Sequence, residues 1–148
     1  MDNIPFPQAD NFDRIVKILD VNDEKNLSDF EFMCAFLDGI TDRQVSYYLS
    51  AAMYIGIVNT DKTFSDYAKC LRMMSGPAQM AELASKIISD PVFGRTFFMG
   101  KILNTDLDND DVIEIMKEKH VYFESDAMYK RRAQTVISWV KWINKICE

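Results

Sequence analysis

The chain has 148 residues, of which 48% are hydrophobic and 12% aromatic, and its 17 basic and 23 acidic side chains give a net charge of −6. That apolar fraction, with only 5 Gly and 4 Pro, excludes a disordered chain, a collagen-like chain and a linker protein. The sequence has no 18-residue apolar run and no charged-then-apolar leader, so we expect neither a membrane partner nor a secretory signal.

The first unit, residues 1–75, is predicted to begin with two short helices. Asp10 or Asn11 is expected to cap the first helix, because the apolar residues that follow recur with the 3.6-residue period. Ser28 has Glu31 three residues later, which is the spacing of a capping box. This pattern predicts that the second helix begins at Ser28.

A third helix and a β-hairpin are predicted to complete the first unit. Thr41 is expected to cap the third helix, and Gly56 is expected to end it. The β-branched pair Ile57–Val58 and the segment Thr63–Tyr67 flank a predicted turn at Asn59–Lys62. The second and third helices then form a helix-turn-helix, and the hairpin is its wing.

The second unit, residues 76–148, is predicted to be helical and to end in a second helix-turn-helix. Its helices are interrupted where capping residues and prolines occur. These signals are Pro77, the Asp90–Pro91 step, Asp110 or Asp111, and Ser125, which caps a last helix running to about Cys147.

An internal repeat relates the two units. RQVSYYLSAAMYI, residues 43–55, aligns with RRAQTVISWVKWI, residues 131–143, at an offset of 88 residues. The arginine, one serine and one isoleucine are identical, and the apolar positions share one helix face. Each segment also follows an acid-capped helix, so the pattern favours a structural duplication over chance similarity between helices.

The polar faces of the two repeated helices carry the chemistry of DNA recognition. Arginine pairs bidentately with guanine and glutamine with adenine, while hydroxyl groups contact phosphates. An ordinary solvated helix face is the competing interpretation. The predicted DNA contacts are Arg43, Gln44, Ser46 and Tyr47 in the first helix and Lys130, Arg131, Arg132, Gln134, Thr135 and Ser138 in the second, whose polar face also includes Lys141.

The acidic total conceals one cationic segment. Residues 1–120 carry twelve basic and twenty acidic side chains, a net charge of −8, whereas residues 121–148 carry five basic and three acidic ones, a net charge of +2. Phosphate affinity depends on where cations lie, so the acidic total does not exclude double-stranded DNA as a partner. It predicts weak, salt-sensitive binding.

The two repeated segments resemble a known group of proteins. TDRQVSYYLSAAMYIGIV, residues 41–58, and ESDAMYKRRAQTVISWVKWI, residues 124–143, resemble segments of winged-helix DNA-recognition modules in prokaryotic type II restriction-modification proteins. The resemblance implies a mainly α fold with minor β structure, built from tandem helix-turn-helix or winged-helix units with one hairpin wing. It also implies recognition of double-stranded DNA in a restriction-type or related defence system. The repeated arginine-led helices favour a non-catalytic DNA-binding protein, and the three scattered cysteines favour a reducing cytoplasm.

The predicted recognition helices also contain aromatic residues whose expected role is packing. Tyr48 lies on the apolar face of the first helix, and Trp139 and Trp142 are expected in the core or in an interface. No cofactor or metal site is predicted, because the three cysteines and single histidine fit no ligand or nucleophile pattern.

An acidic protein-interaction module is the alternative function. The same helix faces would then contact a protein partner or a second copy of the chain. This class includes a partner of a transcriptional regulator, and an anti-restriction protein whose acidic side chains imitate DNA phosphates.

Overall fold

The computed structural model describes residues 3–148, and every regular element in that range is a helix. The helices are α1 Phe12–Ile18, α2 Phe30–Phe36, α3 Asp42–Tyr54, α4 Asp66–Arg72, α5 Gly76–Ile88, α6 Pro91–Leu103, α7 Asn109–Glu118 and α8 Asp126–Ile146, with a 3-10 turn at Glu24–Ser28. The chain divides into two compact units, with the boundary between Gln79 and Met80. No helix in the described range is both long and apolar enough to cross a membrane.

The predicted β-hairpin wing is wrong. The described part of the chain contains no strand, and Val58 and Phe64 form only an isolated antiparallel bridge. Ser65 lies inside the predicted strand Thr63–Tyr67, but its side chain accepts the backbone N–H of Ala68 at 3.1 Å and caps α4. A serine cap starts a helix where continued strand pairing was predicted. The winged-helix fold class is therefore overturned, whereas a mainly helical fold is consistent with the structure.

The first unit is organised around α3, which packs against both α1 and α2. Tyr48 of α3 is buried, and its hydroxyl accepts the backbone N–H of Asn11 at 3.1 Å. Asn11 also caps α1 with its side chain, which confirms the predicted first helix start. Tyr48 therefore has the predicted core position and joins α3 to the beginning of α1.

Asp38 links the α2–α3 connection to α1. It has a left-handed backbone (φ 70°), and its carboxylate pairs with Lys17 Nζ at 3.1 Å and Arg14 Nε at 3.4 Å. The hydrogen bond from Lys17, followed by the weaker influence of Arg14, lowers the pKa of Asp38. A hydrogen bond with the Tyr48 hydroxyl raises the pKa of Arg14. Both cations of α1 are thus held by interactions within the unit.

Arg72, at the end of α4, is bound to the chain that leaves α1. Its Nε donates to the Leu19 carbonyl at 2.7 Å and its Nη2 donates to the Val21 carbonyl at 2.5 Å. The guanidinium carbon lies 3.9 Å from the centre of the Phe64 ring, within the range of a cation–π contact. One side chain therefore connects α4, the α1 terminus and the segment after α3.

Two helix starts differ from their predictions by a few residues. Ser28 ends the 3-10 turn, and the adjacent Asp29 caps α2 by accepting the backbone N–H of Phe32. In the second unit Asp108, rather than Asp110 or Asp111, caps α7. In both places several residues with good capping side chains are neighbours, so composition alone does not select among them.

The second unit is a three-helix arrangement in which α8 packs against α6 and α7, and α6 packs against α7. Trp139 is fully buried and stacks on Phe93, with the ring centres 4.8 Å apart. Trp142 is also buried, so both tryptophans lie in the core, which is one of their two predicted placements. A Cβ at Gly94 would lie 2.2 Å from the Ile88 carbonyl oxygen, so only glycine fits where α6 passes the end of α5.

Candidate nucleic-acid interface

The first turn of α3 is fixed by a capping box. The Thr41 hydroxyl accepts the backbone N–H of Gln44 at 3.2 Å, and Gln44 Oε1 accepts the backbone N–H of Thr41 at 3.0 Å. The predicted cap at Thr41 is therefore confirmed. A bidentate contact with adenine needs both the oxygen and the amino group of glutamine. Because its oxygen serves the cap, Gln44 holds the helix start in place here.

Arg43 is exposed beside the cap and is oriented by Tyr47. Its Nε donates to the Tyr47 hydroxyl at 2.8 Å, and its guanidinium carbon lies 5.5 Å from the centre of that ring. The hydrogen bond uses one of five guanidinium N–H donors, so the terminal nitrogens retain the geometry for a bidentate acceptor. Ser46 is exposed on the same helix, whereas Tyr47 is half-buried.

Arg131 of α8 makes the corresponding contact. Its Nη1 donates to the Thr135 hydroxyl at 3.2 Å, again to the residue four positions later. Thr135 is completely buried, so its predicted exposed position is wrong. Because α8 packs against two helices, its buried face is wider than the apolar residues of the sequence indicate.

The two arginine–hydroxyl pairs lie at different distances from the first residue of their helices. Arg43 is the second residue of α3, whereas Arg131 is the sixth residue of α8, which begins about one turn earlier relative to the repeat. Ser125 caps α8 as predicted. The repeated sequence thus produces the same local contact, but the arginine follows the helix start directly only in α3.

Arg132 packs against aromatic rings. Its guanidinium carbon lies 5.1 Å from the centre of the Phe123 ring, and Phe123 meets Tyr129 edge to face at 5.2 Å. Lys117 Nζ lies 5.0 Å from the centre of the Tyr129 ring. Arg132 is half-buried in this arrangement, so it stabilises the beginning of α8 more directly than it offers charge to a ligand.

A polar stripe runs along the outer face of α8, and we name it the α8 stripe. Its members recur every three or four residues, so they share one helix face, and all but the half-buried serine are exposed. They are Lys130, Gln134, Ser138, Lys141 and Lys145.

The α8 stripe is cationic and long. No acidic residue occurs from residue 127 to residue 147. Its first and last lysines, Lys130 and Lys145, are about 22 Å apart along the helix axis at 1.5 Å per residue. Lys145 is not among the predicted DNA contacts, although it follows Lys141 by four residues on a cationic helix, a spacing that places both lysines on one face.

The chain belongs to the DUF7226 family, a domain of unknown function, whose model matches residues 14–148. The match begins within α1 and includes the whole of α3 and α8, so both arginine-bearing helices are part of the family domain. Neither a curated protein nor a solved structure matches the chain. Within residues 3–148 no group of three or more His, Cys, Asp or Glu side chains is arranged to hold a metal ion.

Proposed function

We propose that this protein binds double-stranded DNA without cleaving it, and that α8 makes the principal contact. The observation that carries the proposal is the α8 stripe, in which three exposed lysines lie along one helix face without an intervening carboxylate. Phosphate affinity arises from cations that displace condensed counterions, and a neighbouring carboxylate would reduce that gain. This arrangement supports DNA binding by a chain whose total charge is negative.

The order of residues along the stripe suits a helix in the major groove. The groove is about 12 Å wide and admits an α-helix, with phosphates along both of its edges. Lys130 and Lys145 stand at the two ends of the stripe, where phosphates would be reached, while Gln134 and Ser138 lie between them. The lysines would position the helix, and the central polar side chains would contact base edges.

Arg43 of α3 supports a second, weaker contact. Its guanidinium is held by Tyr47, which reduces the entropy lost when a bidentate acceptor binds. Asp42 precedes it in the same turn and lowers the local positive potential. The resemblance of residues 41–58 and 124–143 to recognition segments of restriction-modification proteins supports a base-reading role in a prokaryotic defence system.

Fluorescence anisotropy with a labelled DNA duplex tests this proposal at several salt concentrations. Replacing Lys130, Lys141 or Lys145 by alanine removes one phosphate contact each, so the slope of log K against log salt should fall by about one per variant. Arg43→Ala and Arg131→Ala should each weaken specific binding by roughly 1–3 kcal/mol if these side chains read bases.

Arg131→Lys distinguishes a phosphate contact from a base contact at that residue. Lysine keeps the charge but lacks the planar guanidinium group, so a phosphate contact would survive this substitution and a bidentate base contact would not.

The matched controls for the alanine variants are Lys25→Ala and Lys69→Ala, which remove exposed cations outside α3 and α8. Absence of DNA affinity at low salt, or equal losses in the controls, would refute the proposal. Cleavage of the duplex with Mg²⁺ would refute its non-catalytic part.

A further inference from the structure

Helix α6 has two apolar faces, of which only one belongs to the core. Val92 and Phe93 are buried in the second unit. On the other side Phe98 and Ile102 are 52% and 81% exposed, and Leu103, in the last turn of the helix, is 56% exposed. A surface helix ordinarily carries one apolar stripe, and a second exposed stripe is typical of a binding surface.

A groove of about 400 Å³ lies beside this exposed face, between α6 and α7. Its floor is apolar and is formed by Met99, Leu103, Leu107 and Ile115. Its α7 edge carries Asp111, Glu114 and Glu118, which follow one another over two turns of the helix. Two turns correspond to about 10 Å. We name this the α6–α7 groove.

The charge of the α6–α7 groove is negative. Arg95 is the one cationic residue among those that line it, and its Nη2 lies 3.5 Å from Glu118 Oε1. Glu114 is exposed and has no ion pair within residues 3–148. A carboxylate edge repels nucleic acid and anionic lipid, and an apolar floor favours burial of nonpolar side chains. The complementary ligand therefore has nonpolar side chains flanked by positive charge.

We propose that the α6–α7 groove binds a basic amphipathic helix of a partner protein. Nonpolar side chains on one face of such a helix would cover Met99 and Leu103, while lysines or arginines one to two turns apart would meet Glu114 and its neighbouring carboxylates. A helix bound in a groove contacts it through nonpolar side chains three, four and seven residues apart, which cover about two helical turns. The acidic edge of the groove has the same length, so it can accompany these contacts along the bound helix. This function is separate from DNA binding, since the groove and the α8 stripe share no residue.

Two synthetic peptides of about 18 residues, or five helical turns, provide the probe. Both carry leucines at spacings of three and four residues, and they differ only in flanking lysines in one and flanking glutamates in the other. Binding to the full chain is measured by fluorescence anisotropy between about 50 and 200 mM salt, where charge contributions change most. The lysine peptide should bind at least about tenfold more tightly than the glutamate peptide, with a preference that narrows as salt rises.

Two substitutions and two matched controls locate the binding site. Leu103→Asp replaces a nonpolar contact of the groove floor by a hydrated carboxylate that the leucines of the peptide cannot cover, and Glu114→Lys reverses a charge on the groove edge, so each should weaken binding of the lysine peptide about tenfold. Met73→Asp changes an apolar residue that is 89% exposed in the first unit, and Asp20→Lys reverses an exposed acid there. These controls should change affinity less than about twofold.

Circular dichroism of each variant establishes that the helices are retained. Equal affinity for the two peptides, or no loss with Leu103→Asp and Glu114→Lys, overturns the proposal. Light scattering of the free protein tests a second copy as the occupant. Self-association that Leu103→Asp abolishes, without binding of the lysine peptide, assigns the surface to a second copy and also overturns it.

Discussion

Three cations of the first unit, Arg14, Lys17 and Arg72, differ from the lysines of α8 in what they contact. In the first unit Arg14 and Lys17 are held by Asp38, and Arg72 is bound to backbone carbonyls. In the second unit Lys130 and Lys145 stand on the exposed face of α8. Both units contain a helix that packs against two others and carries an arginine bonded to a hydroxyl one turn later. The comparison shows that the contacts of each cation indicate better than the net charge of a segment whether that cation is available to a ligand.

Both units have a buried hydrophobic core, and each adds a different contact to it. In the first unit Arg72 joins separate parts of the backbone. In the second unit α6 passes the end of α5 closely at Gly94, and Phe93 stacks on Trp139. Both tryptophans, Trp139 and Trp142, belong to the second unit, so their fluorescence reports on that unit while far-ultraviolet circular dichroism reports on all helices.

The largest expected effect is that of Gly94→Ala on the second unit. The added Cβ would meet a backbone oxygen at 2.2 Å, which no side-chain rotation relieves. We expect a loss of about 3 kcal/mol of unfolding free energy, the upper range for overpacking. Urea unfolding followed by tryptophan fluorescence measures it.

Gly76→Ala is the control for adding a methyl group where there is space, because no atom lies within 4 Å of a Cβ built at that position, and circular dichroism follows it because Gly76 belongs to the first unit. Alanine is the better helix former, so this variant should be neutral or more stable by up to about 1 kcal/mol. Equal stability of the two variants would show that the α5–α6 corner is not closely packed.

Arg72→Met should produce the next largest effect, in the first unit. It keeps much of the side-chain length but leaves the Leu19 and Val21 carbonyls without their charged donor. Hydrogen bonds to charged groups contribute about 1.5–3 kcal/mol, so we expect a loss in that range. The circular dichroism transition should shift while the tryptophan transition stays in place. A common shift of both signals would show that the units unfold together.

Lys69→Ala is the control for Arg72→Met. Lys69 lies on the same helix, but its Nζ is 3.9 Å from Asp66 Oδ1 in an exposed ion pair. Such pairs contribute little because water and salt screen them. This variant should therefore leave the midpoint of the unfolding transition almost unchanged. A loss of unfolding free energy equal to that of Arg72→Met would contradict a specific role for the carbonyl contacts.

Asp38→Asn should have the smallest effect, and that effect should depend on pH. Because the pKa of Asp38 is lowered in the folded state, its charge stabilises the first unit above the unfolded pKa of about 3.9. That stabilisation is lost as pH falls through the lower folded value. Asparagine tolerates the left-handed backbone at this position, so the substitution changes mainly the charge.

Thermal unfolding at neutral pH and at about pH 2 measures the effect of Asp38→Asn, since the carboxyl group is then compared well above and well below its ordinary pKa. The variant should melt below the parent protein at neutral pH, and the two should converge in acid. Asp20→Asn, which changes an exposed acid without an ion pair within residues 3–148, should show no such convergence. A constant difference across pH would contradict the ion-pair explanation.

Local signals in the sequence predicted much of the helical structure. Caps such as Asn11, Thr41 and Ser125 act on the backbone within three residues, so sequence alone reveals them. The hairpin prediction failed because short β-branched runs fit either structure, and Ser65 starts a helix inside the second run.

The candidate sites were less predictable because they depend on neighbouring helices. Thr135 is buried because α8 contacts two helices. The pattern of apolar residues in α8 does not reveal how many helices pack against it. The second apolar face of α6 was also missed, because a run such as Phe97–Leu103 reads as core until its exposed side is known. The α8 stripe was partly predictable, since its members are related by helical spacing alone.

The α5–α6 corner defines a sequence signature by which relatives of this chain can be aligned. Asp90 accepts the backbone N–H groups of Val92 and Phe93, Pro91 occupies the first turn, and Gly94 passes the Ile88 carbonyl. The corner therefore has three separate requirements within five positions: a side chain that accepts hydrogen bonds, the fixed φ of proline and a residue without a Cβ. Family members that keep this corner should therefore carry the pattern D-P-x-x-G, which marks the start of the α6 helix even where the surrounding sequence has diverged.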